Sequence, residues 1–62
     1  MTLEELIQEA KAADEHSRNT TRAYVDAVLS GASISRKMEL EQEAWKALGA
    51  ASALMRLLER YY

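Results

Sequence analysis

The sequence predicts an all-α protein, an antiparallel two-helix hairpin with a helix over about 3–29, a turn over about 30–33 and a second helix over about 34–61. Three observations predict it. Large apolar residues recur every three or four positions in both halves of the chain, the period of one helix face. The one cluster of turn formers, Leu29-Ser30-Gly31-Ala32-Ser33, sits near the middle. There is no proline, and only Gly31 and Gly49 can interrupt regular structure. Sixty-two residues allow a single domain, 1–62.

The first helix has a defined start. Thr2 followed by Glu5 fits a capping box, in which each side chain satisfies the other residue's free backbone N–H. Met1 and Leu6 occupy the positions of a hydrophobic staple, and Glu4 and Glu5 complement the positive end of the helix dipole. The inner face carries Leu3, Leu6, Ile7, Ala10, Asp14, Ser17, Thr21, Tyr24, Val25 and Val28. Its ends are apolar and its centre is small or polar. Two readings of that centre are open. Ser17 and Thr21 make room for a bulky neighbour, or Asp14, Ser17 and Thr21 form a buried polar network that fixes register. A surface pair of Asp14 with Arg18 is the simpler use of that carboxylate.

Gly31 suits the C′ position, where a left-handed conformation ends a helix, and Ser33 suits the N-cap of the second helix. A turn this short makes the helices antiparallel neighbours. The expected rod is roughly 40 Å long at about 1.5 Å per residue. Folding about Gly31 and Ala32 sets Trp45 level with Arg18, beside Ser17 and Thr21, which favours the first reading of the small residues.

On the second helix, Leu40, Ala44, Leu48, Ala51, Leu54, Met55, Leu58, Tyr61 and Tyr62 share one face, and the girth thins through Gly49-Ala50-Ala51-Ser52-Ala53. Ile34, Met38 and Trp45 form a second apolar edge outside that stripe. A helix apolar over so much of its circumference needs two neighbours. Leu40, Leu48, Leu54, Leu58, Leu6, Ile7, Tyr24 and Val28 are therefore expected between the helices. Ile34, Met38, Trp45, Met55 and Tyr62 are expected to bind a protein partner, which completes the fold as a second, different chain or as a homodimeric four-helix bundle. Gly49 costs about 1 kcal/mol in a helix interior, and close approach by the first helix or by a partner would account for it. Tyr61 and Tyr62 either fray or anchor the end of the chain in a partner's groove.

Composition narrows the function. A chain of this size buries a core worth only about 3–5 kcal/mol, and small chains usually add disulfides, a metal or a partner. There is no cysteine, which leaves the partner. A charge of −2 gives no general attraction to nucleic acid or anionic lipid. No apolar run reaches the roughly 18 residues of a membrane span. The acidic opening MTLEELIQEA lacks a basic leader region, so no signal peptide is expected and the expected location is cytoplasmic.

His16, the one histidine, lies away from the apolar stripe, and no helical metal motif, phosphate loop or nucleophile–base pair is present. No enzyme activity, metal or cofactor is expected. Lys11, Arg18 and Arg22 line one flank of the first helix. They read as a solvated border of the core, or as a phosphate-contacting strip that a symmetric dimer would double. The acidic balance weakens that second use.

The opening Thr2-Leu3-Glu4-Glu5-Leu6, the central glycine, and Lys46-Ala47-Leu48 running through small residues to Leu54-Met55 and an aromatic end carry a family resemblance. With them the chain resembles the small helical-hairpin co-chaperones of type III secretion needle subunits, of the YscE, SsaE and EscE type. The resemblance implies a cytoplasmic, non-enzymatic protein. Such a protein pairs with a larger chaperone and keeps a polymerisation-prone needle subunit soluble by masking its apolar helix surface. In layout alone the chain is also similar to the plasmid RNA-binding protein Rop, a homodimeric four-helix bundle, which would make the cationic strip functional. A phage or mobile-element inhibitor that docks one helix face on a host protein is the third class.

Overall fold

A computed structural model describes residues 1–61 of the chain. Two helices, α1 (Leu3–Leu29) and α2 (Ile34–Glu59), pack against each other as an antiparallel hairpin. The rod measures 43 × 16 × 13 Å.

Each helix end is satisfied locally. At the start of α1 the backbone N–H of Glu5 donates to Thr2 Oγ1 at 3.1 Å. The Glu5 carboxylate accepts from the Thr2 hydroxyl, also at 3.1 Å, where the capping box would have it take the backbone N–H. The turn is a Schellman motif. Ala32 N–H donates to the Ala27 carbonyl at 3.0 Å and Gly31 N–H to the Val28 carbonyl at 3.3 Å. Gly31 sits at φ +75°, the left-handed conformation the motif requires. Ser33 caps α2, accepting from the Arg36 N–H at 3.2 Å. α2 ends at Glu59, two residues short of the expected boundary. Arg60 and Tyr61 close it with tightened bonds to the Leu57 and Leu58 carbonyls.

The buried seam follows an alternating three–four spacing on both helices. From α1 it takes Leu6, Ala10, Ala13, Ser17, Thr20, Tyr24 and Ala27. From α2 it takes Lys37, Leu40, Ala44, Ala47, Ala51, Leu54 and Leu58. That 3.5-residue repeat keeps a stripe facing its partner in a left-handed coiled coil. Most seam positions are small, so the helix axes can approach toward the short end of the roughly 8–10 Å range. The buried core is thin: among the described residues Leu6 and Leu40 are its only large side chains, with Ala10, Ser17, Ala27, Ala47 and Ala51.

Four expectations change. Leu48 and Val28 are not between the helices but 47% and 44% exposed. The seam turns Ala47 inward instead, because a 3.5-residue repeat drifts from the straight-helix stripe that selected Leu48. Ile7, Tyr24, Leu54 and Leu58 are half-buried, and Leu6 and Leu40 are buried as expected. Trp45 lies beside Thr21 as expected, in a hollow also lined by Tyr24 and Leu48, but it is exposed on the flank and does not cover the buried Ser17. The polar trio does not form a buried network: Asp14 pairs in solvent with Arg18 at 3.2 Å, Thr21 is exposed, and only Ser17 is buried. Lastly, α1 makes no close approach to Gly49, since a Cβ built there meets nothing within 4 Å.

Candidate interaction face

The residues that the seam rejects collect on one side of the rod. On α2 the stripe next to the seam reads Ile34, Met38, Glu41, Trp45, Leu48, Ser52, Met55, again at three–four spacing. On α1 the matching stripe reads Ile7, Lys11, Asp14, Arg18, Thr21, Val25, Val28. Two hollows between the helices show that the stripes share a face. One, of about 260 Å³, is lined by Thr21, Tyr24, Glu41, Ala44, Trp45 and Leu48. The other lies nearer the open end, where Ile7, Lys11, Asp14 and Arg18 meet Met55 and Leu58.

Twelve large apolar residues are exposed among the described residues. Seven belong to this face: Val25, Val28, Ile34, Met38, Trp45, Leu48 and Met55. Ile34 is 73% exposed, Trp45 65% and Met38 55%. Met1, Leu3, Leu29, Leu57 and Tyr61 lie elsewhere. The opposite side is different in kind, with His16, Glu43 and Lys46 around Ala47 and Ala50. Scattered exposed apolar residues are ordinary, but a contiguous stripe of them is not.

Four of the five residues expected to meet a partner, Ile34, Met38, Trp45 and Met55, are thus exposed together on one face, and Tyr62 falls outside the described residues. Leu48, Val25 and Val28 join them, although periodicity at 3.6 residues per turn had assigned them inward. The signal that finds them is the 3.5-residue spacing of alanines along both helices. Lys11 and Arg18 stand at the rim of the same face, with Arg22 exposed one turn beyond Arg18. Arg18 is already held by Asp14, and both side chains are more than half exposed, so the pair contributes at most a few tenths of a kcal/mol. Glu41 is the one carboxylate in the apolar hollow, and there it faces Thr21 and the Trp45 ring.

Fold and face together define a small α-helical hairpin with an exposed apolar stripe along one side. Comparison with protein-family models, curated proteins and solved structures gives no match. Among the described residues no helix is long and apolar enough to cross a membrane.

Proposed function

We propose that the chain is a small non-enzymatic interaction module that docks the apolar face of its hairpin onto helices of another protein chain. The observation that carries this reading is the concentration of seven exposed large apolar side chains on one side of a rod whose other side carries His16, Glu43 and Lys46. Leaving that stripe in water forfeits the burial energy that a chain with so thin a core most needs. A two-helix layer covered by two more helices is the ordinary four-helix arrangement.

The resemblance of the sequence supports a specific form of this role, a cytoplasmic co-chaperone that masks apolar helix surface of a secretion-system component. Occlusion is the whole mechanism: apolar stripes of client and chaperone cover one another, and no bond is made or broken.

Trp45, the sole tryptophan, reports directly on the face. Titration with a needle-subunit-type helical client should shift its emission to the blue and reduce quenching by acrylamide. Trp45 emission and quenching that stay unchanged with client, at every concentration of the chain, would overturn the proposal.

A further inference from the structure

We infer that the hollow between Tyr24 and Trp45 is a binding site for a guanidinium group, and that its occupant is an arginine side chain of the partner that covers the apolar face. This rests on the docking reading above and names a residue the partner must carry.

Glu41 interrupts the apolar stripe of α2. It stands between Met38 and Trp45, one turn from each, where the three–four spacing would otherwise set another large apolar residue. Among the described residues the chain brings no cation to it. Arg18 and Arg36 are held by Asp14 and Glu39, and Lys37, four residues before Glu41, makes no ion pair. A partner that covers this stripe takes Glu41 out of water. An apolar side chain laid over it would leave a desolvated carboxylate unpaired, which is strongly unfavourable, whereas a cation satisfies it. Charge therefore selects the occupant.

The walls select among cations. Glu41 and Trp45 lie one turn apart on α2, Thr21 and Tyr24 one turn apart on α1, and Ala44 and Leu48 complete the lining. Aromatic faces attract a cation, indole most strongly. A guanidinium is planar, stacks on such rings, sheds water more readily than an ammonium and donates two parallel hydrogen bonds to one carboxylate. Lysine offers a compact, strongly hydrated charge instead. The aliphatic stem of arginine suits Ala44 and Leu48. At about 260 Å³ the hollow is smaller than the roughly 300–1,000 Å³ of pockets that hold drug-sized ligands. One side chain fills it.

The test uses the free chain at low salt, with Trp45, its sole tryptophan, as reporter. N-acetyl-arginine amide is the probe. N-acetyl-citrulline amide, whose neutral urea has the shape of the guanidinium, is the control. The arginine compound should change Trp45 emission saturably, and the citrulline compound should bind about tenfold more weakly or worse, as loss of a charge-assisted hydrogen bond does. Glu41 is exposed, so Glu41→Gln should keep its helix content by circular dichroism while losing the same factor for arginine. Equal binding of the two compounds, or undiminished arginine binding by Glu41→Gln, overturns the site. Equally tight binding of N-acetyl-lysine amide overturns the choice of guanidinium. A Trp45 response to client but not to the arginine compound overturns the hollow and keeps the docking reading. The reverse overturns the partner as source of the arginine, and no response to either overturns both.

Discussion

Two stripes lie side by side on α2 and are built from opposite materials. The seam, Leu40, Ala44, Ala47, Ala51, is buried or half-buried and mostly small. The flank, Ile34, Met38, Trp45, Leu48, carries larger side chains and is exposed. A chain selected only to close its own hairpin would place them the other way round. Small seam residues let the two helices approach closely, but they bury little area at about 25 cal/mol per Å². The larger apolar area remains outside, on a face that α1 leaves uncovered. On the docking reading proposed above, closure of the hairpin and capture of another chain fall to different stripes, and substitutions should separate them.

The largest effect should come from the seam. Leu40→Ala or Leu6→Ala removes one of the two large side chains buried among the described residues, and truncation at such sites costs about 2–5 kcal/mol. Against a core worth about 3–5 kcal/mol the isolated hairpin should lose most of its helix. Circular dichroism with urea titration measures this. A midpoint left in place would show that the thin seam is not what holds the helices together.

Trp45→Ala is the counterpart on the flank. With the ring 65% exposed, its removal should change the stability of the separated hairpin by less than about 0.5 kcal/mol, as for other surface sites. Association should weaken by about 2 kcal/mol or more. Equal losses in both measurements would merge the two stripes into one and break the distinction.

The comparison also explains what was legible in the residues. Caps, turn and helix count rest on local chemistry: Thr2, Gly31 and Ser33 each act within a few positions of themselves, and each does in the structure what its type predicts. The rotation of α2 about its own axis is not local. Choosing Ala47 over Leu48 as the inward residue depends on what α1 offers opposite it, and α1 turns the small Ala10, Ala13 and Ser17 to the buried side. Size alone points to Leu48, and only the paired spacing on both helices points to Ala47. Ile34, Met38 and Trp45 were legible as an outer edge because their distance from Leu40 survives either choice.

The two glycines sharpen the comparison at the smallest scale. A Cβ built on either one meets nothing within 4 Å, so crowding within the chain cannot distinguish Gly31→Ala from Gly49→Ala. Backbone conformation can. Gly31 sits at φ +75°, where an L side chain costs about 1–2 kcal/mol, so Gly31→Ala should lower stability by about that amount. Gly49 lies inside α2 at ordinary helical angles, where alanine is better than glycine by up to about 1 kcal/mol. Gly49→Ala should therefore raise the midpoint of thermal unfolding. It should leave association unchanged, since Gly49 lies off the stripe that Trp45 marks. A more stable hairpin that associates less would mean that another backbone rests against Gly49. The covered surface would then extend around the outer edge of α2, beyond the face that Trp45 marks.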